Sequence, residues 1–172
     1  MNDFKIKLGV INGGENCFSF EIKDQFFEAF TLSDVEHADV TATALLDKDG
    51  DKLALTLSID GKINKLLCDI CTDEMSVDIK AETNVIIKIT DEDLVSTDEI
   101  FYVRKSENAI DLEQLIFELI ILNIPKKRQH PLNEDGSSNC SKEMVDLVSK
   151  YTATEEKSSD PRWDALKDLK IK

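Results

Sequence analysis

The chain has 172 residues, 35 of them acidic and 21 basic, for a net charge of −14. Hydrophobic residues make up 41% and charged residues 33%, the balance of a water-soluble globular chain long enough to bury a core without covalent staples. The charge disfavours broad direct binding to nucleic-acid phosphates and favours basic partners. The longest apolar stretch, Leu115 to Leu122, is broken by Glu118 and falls far short of the ~20 residues a membrane helix needs.

Met1-Asn2-Asp3-Phe4-Lys5 lacks the basic and apolar regions of a signal peptide, so a cytoplasmic location is expected. From Phe4 to Ile11 apolar and polar residues alternate, predicting a half-buried strand. Asn12-Gly13-Gly14 is turn chemistry, and Cys17 to Ile22 repeats the alternation. Cys17, beside Phe18 and Phe20, reads as a small buried apolar residue. Asp24 to Phe30 is expected to form a short helix, and His37 to be an exposed residue at a strand edge.

Ala38–Leu46 and Lys52–Ile59 flank an Asp-Gly joint, the strongest hairpin signal in the chain. The Asp-rich joint fails as a calcium loop, because the twelfth position counted from Asp47 is Ser58 and not Glu. A second joint is expected at Asp60-Gly61, then a strand to Cys68, then a further strand from Met75 to Thr90. Asp91 to Glu99 reads as an acidic loop and Ile100 to Val103 as a short strand.

The last third reads as helical. Asp111 is the expected N-cap of a helix ending before Pro125, with Gln114 completing a capping box. Its apolar positions predict burial on most sides. Ser141 is expected to cap a second helix running to Tyr151. Thr152 to Ser159 reads as a flexible linker, and Asp160-Pro161 opens a last short helix carrying Trp163, Leu166 and Leu169 on one stripe. The expected fold is α+β. An antiparallel sheet from the N-terminal two-thirds packs against the buried helix, with one or two short C-terminal helices. Residues 1–151 form the domain and 152–172 a linker and docking helix.

Chemistry is sparse. Two histidines, no serine in a nucleophile elbow and no Gly-rich phosphate loop lead to the expectation that the protein is not an enzyme. The exception is a soft-ligand set. Cys68 and Cys71 have the spacing of a zinc knuckle between two strands, and His130 and Cys140 lie downstream on a polar loop. The wide His130–Cys140 spacing leaves two readings open, a Cys3His zinc site or a pair of thiols in a turn. A redox Cys-x-x-Cys would need a helix start and positive neighbours, whereas Asp69, Asp73 and Glu74 surround this one.

Three features follow one another in order: Cys68-x-x-Cys71 after a β-rich half, the run Ile110-Asp111-Leu112-Glu113-Gln114-Leu115-Ile116-Phe117-Glu118-Leu119-Ile120-Ile121-Leu122-Asn123-Ile124-Pro125, and the terminal Asp160-Pro161-Arg162-Trp163-x-x-Leu166-x-x-Leu169. Together they resemble the YceD family, the large ribosomal RNA subunit accumulation proteins of bacteria and chloroplasts. The resemblance implies a non-enzymatic factor for large-subunit (23S) ribosomal RNA, with ribosomal proteins or a pre-50S ribonucleoprotein as partners. Many members carry further cysteines before the terminal motif. This chain keeps only Cys140 there, with His130 standing in for a thiol. Asp160, Pro161, Arg162 and Trp163 are expected to clasp the body of the protein or to meet a partner. A metal-stabilised, cytosolic protein-binding module without a ribosomal role is the alternative.

Overall fold

The computed structural model describes residues 4–30, 33, 35–50, 52–97 and 99–152. The chain divides into two units, the first ending at Gln129 and the second beginning at His130. The first holds strands β1 (Lys5–Lys7), β2 (Gly14–Ile22), β3 (His37–Asp49), β4 (Lys52–Leu67), β5 (Glu74–Thr90), β6 (Ile100–Arg104) and β7 (Ala109–Asp111), and helices α1 (Asp24–Phe27) and α2 (Glu113–Asn123). The second holds α3 (Lys142–Tyr151).

Strands β2 to β6 form one sheet in sequence order, and β1 pairs with β7 in a two-stranded ribbon. The β2–β3–β4–β5 pairs are antiparallel, as expected, while β6 joins β5 in parallel. The acidic connection after Thr90 carries the chain back along the sheet, which makes that direction available. Asp91 and Asp93 of this connection form ion pairs with Lys105 (2.5 Å) and Arg104.

Period-2 patterning decides which face is buried. Val40, Ala42, Ala44 and Leu46 of β3 face inward with Leu53, Leu55, Leu57 and Ile59 of β4 and Ile79, Val85 and Ile87 of β5. Helix α2 lies against β4 and β5. Leu112, Ile116, Leu119 and Ile120 bury the contact face, each side chain contributing roughly 1.5–3 kcal/mol. Phe30 stacks on Phe117 with ring centroids 3.8 Å apart.

Several expectations are corrected by neighbours that local reading does not see. Phe4 to Ile11 is not one strand; β1 ends at Lys7 and a 3-10 turn follows over Leu8–Val10. Cys17 is exposed, because the alternation that buries Ile22 and turns Phe18 and Phe20 inward sends odd positions outward. Helix α1 stops at Phe27. His37 is half-buried and its Nδ1 lies 2.9 Å from Asp24 Oδ2. The His37 hydrogen bond, helped by the Ala38 amide, holds the Asp24 carboxyl below its usual range.

Asp111 is drawn into β7 opposite Lys5, so Leu112 takes the N-cap position of α2. The Asp111 carboxylate accepts the Glu113 amide at 3.0 Å, and Gln114 donates to Glu118 at 2.7 Å instead of closing a capping box. Burial of α2 is one-sided, since Leu122 is 82% exposed. The helix ends at Asn123, with extended Ile124 before Pro125 as expected. Ser141 caps α3, its hydroxyl accepting the Met144 amide at 3.4 Å.

The β3–β4 hairpin forms as expected, with Asp49 opposite Lys52 and Gly50 supplying a positive φ of 59° at the turn. The joint expected at Asp60-Gly61 does not exist; β4 runs straight through it. Gly61 is needed there for close approach instead of a turn. A Cβ on it would sit 2.6 Å from Val40 Cα and closer still to the Asp39 carbonyl oxygen, both backbone atoms of β3. Gly61→Ala is expected to lower stability by about 3 kcal/mol. Urea denaturation reads this directly, and an unchanged midpoint would contradict the close β3–β4 approach.

Candidate metal centre

The site begins with a bulge. Along β4 the buried positions are odd-numbered up to Ile63, then pass to Leu66 and Cys68. The change of phase coincides with a register shift between Ile63 and Leu66, where Lys65 takes a positive φ of 54°. A bulge of this kind re-aims the strand beyond it. Without the extra residue Leu67 would point inward and Cys68 outward; as built, Leu67 is exposed and Cys68 is buried.

A tight turn then joins β4 to β5. The Cys68 amide donates to the Asp73 carbonyl at 3.0 Å, continuing the ladder beyond the Leu67–Glu74 pair, and the Thr72 amide donates to the Cys68 carbonyl at 2.9 Å. Thr72 closes the turn at φ 59°, a left-handed conformation that costs a β-branched residue about 1–2 kcal/mol. The Ile70 amide lies 3.5 Å from Cys68 Sγ and donates to it. Backbone amides aimed at sulfur are suited to a thiolate, the form that binds metal. No helix starts at the turn, so the feature that lowers thiol pKa in redox Cys-x-x-Cys motifs is missing here.

Asp69, between the two cysteines, fixes a distant piece of chain. Its amide donates to the Arg128 carbonyl at 2.7 Å, and its carboxylate accepts the Arg128 amide at 2.6 Å. Arg128 Nε stands 3.7 Å from the same carboxylate. His130 follows two residues later, within about 7 Å of chain reach. In the second unit, Cys140 Sγ lies 3.6 Å from His130 Nδ1. Its position is steadied locally by its amide donating to the Ser138 hydroxyl at 3.2 Å.

All four expected ligands come together. Ligand atoms of Cys68, Cys71, His130 and Cys140 lie within 4.8 Å of one another, with the three cysteines buried and the histidine half-buried. A tetrahedral ion with bonds of ~2.3 Å to sulfur and ~2.0–2.1 Å to nitrogen sets ligand edges of roughly 3.5–3.8 Å. The Cys140–His130 separation already matches such an edge. None of the three buried thiols belongs to the apolar core cluster.

Sequence reasoning named the four ligands but missed Asp69, Lys65 and Thr72. Asp69 read only as a negative neighbour of the thiols; its contact lies 59 positions away in sequence and has no local signature. Asp160, Pro161, Arg162 and Trp163 lie outside the described residues. Among the described residues no helix is long and apolar enough to cross a membrane.

Fold and cluster together define a class: a β-rich α+β domain with a Cys-x-x-Cys turn at a hairpin tip and a Cys3His set able to hold one metal ion. Residues 55–170 match the family model described as Large ribosomal RNA subunit accumulation protein YceD, and the chain belongs to that family. No curated protein and no solved structure matches the chain.

If the four residues hold a metal, protein purified without added metal should carry close to one equivalent. Cys68→Ser should lose it, and a chelator should lower the melting temperature of wild type alone. Sub-stoichiometric metal that Cys68→Ser leaves unchanged would count against the site.

Proposed function

We propose that this chain is a zinc-organised, non-enzymatic factor that supports accumulation of large-subunit ribosomal RNA through protein or ribonucleoprotein contacts. The observation that carries the reading is the family match over residues 55–170, a span that contains β5, α2 and all four soft ligands. Three thiolates and an imidazole favour Zn²⁺ over oxygen-seeking ions, and a four-ligand set leaves no open coordination position for substrate. Bound zinc would supply folding energy and fixed geometry rather than chemistry.

The charge supports protein contacts over bare RNA. At −14 overall, the surface repels phosphate and attracts the basic tails and loops by which ribosomal proteins hold RNA. The basic run Lys126-Lys127-Arg128 is too short for a nucleic-acid groove and has no interleaved aromatics. Its Arg128 guanidinium stands 3.7 Å from the Asp69 carboxylate. A ribosome-assembly role is in keeping with a cytoplasmic location.

Depletion in the source cell is expected to lower large-subunit RNA relative to small-subunit RNA. In gradients the protein should co-sediment with large-subunit precursors, and its pull-down of ribosomal proteins should persist after nuclease treatment. Unchanged RNA ratios and normal large subunits on depletion would refute the ribosomal role and leave a metal-stabilised module with other protein partners. Nuclease-sensitive capture would shift the contact from protein to RNA.

A further inference from the structure

We infer that Asp69 is a positioning residue for the metal centre, acting through the main chain of Arg128 to place His130 as a ligand. The inference rests on the metal-binding reading above and deepens it. Two hydrogen bonds join the same two residues in opposite senses: Asp69 amide to Arg128 carbonyl at 2.7 Å, and Arg128 amide to Asp69 carboxylate at 2.6 Å. A single bond would leave the chain able to pivot. Two bonds that use both the donor and the acceptor of one residue fix its position and its direction.

The location gives this clamp its consequence. Asp69 sits between Cys68 and Cys71, so whatever it holds is referenced to those thiols. Arg128 is two residues before His130, too few for slack. Cys140 then has a fixed imidazole to approach at 3.6 Å. Sequence separation makes the point sharper. His130 is far from the cysteines along the chain, and no regular element runs from Asn123 to it. Its placement must come from specific contacts, and the Asp69 clamp is the one nearest to it in the chain among the described hydrogen bonds of the first unit.

Charge alone does not explain a carboxylate at this position. The Arg128 guanidinium is only partly buried and 3.7 Å away, so the ion pair itself contributes little. Hydrogen-bond acceptance by the carboxylate oxygen is what the geometry uses. Asparagine keeps such an oxygen and alanine does not.

The test uses the full-length protein, stripped of metal and titrated with Co²⁺ in competition with a chelator. Cobalt reports both affinity and ligand set, through its sulfur charge-transfer and ligand-field bands. Asp69→Ala is expected to weaken cobalt binding about 10–100-fold and to move the ligand-field bands as the imidazole is lost. Asp69→Asn should restore wild-type affinity and spectrum. Should Asp69→Ala fail to fold, Asp69→Ser takes its place, keeping a polar turn residue too short to reach the Arg128 amide. Asp69→Ala or Asp69→Ser binding cobalt as wild type does, with the same spectrum, would overturn the inference while leaving the metal site standing. Loss of affinity in Asp69→Asn as well would also overturn it, by assigning the effect to charge. A wild-type protein that gives no sulfur–cobalt band would overturn the metal reading itself.

Discussion

The antiparallel pairing of β4 with β5 sets both the core and the site. From Leu53 opposite Ile87 to Ile63 opposite Val77 it runs in one register, which puts Leu55, Leu57, Ile59, Ile79 and Val85 on the face that α2 covers. One bulge then resets the phase before Leu66 meets Met75. That single extra residue decides whether Cys68 points inward or out. The same hairpin therefore carries a conventional apolar core at one end and a polar, sulfur-rich turn at the other.

Sheet and turn place different demands on sequence. The sheet tolerates exchange among apolar residues of similar volume, provided alternation is kept. Gly61 is the exception, because β3 backbone occupies the space of a side chain. The turn tolerates far less. It needs thiols at Cys68 and Cys71, a left-handed residue at Thr72 and an acceptor at Asp69 facing the Arg128 amide. A turn that accepts a left-handed threonine and buries thiols outside the core is costly by itself, and a bound metal ion would supply the compensation.

Much of this was legible from local pattern. Alternation located β2 to β5, Asp49-Gly50 announced the β3–β4 turn, Pro125 marked the end of α2 and Ser141 the start of α3. The four soft ligands could be named because the chain holds only two histidines and four cysteines. What was hidden depended on partners far away in sequence. Asp111 reads locally as a helix cap, and only its pairing with Lys5 of β1 draws its backbone into β7. Gly61 reads locally as a turn, since the crowding there comes from β3 backbone. Cys17 reads as buried beside Phe18 and Phe20, but the parity of its own position turns it outward. For Asp69, both hydrogen bonds go to a residue on the far side of α2, which no window of local sequence contains.

The central claim is that three sulfurs and one imidazole nitrogen share a single ion. X-ray absorption at the zinc edge of protein purified with its native metal measures this most directly. The expected first shell is three sulfurs at about 2.3 Å and one nitrogen at about 2.0–2.1 Å, with the outer-shell scattering of an imidazole ring. A shell of oxygen and nitrogen alone, or of two sulfurs with no imidazole signal, would contradict it.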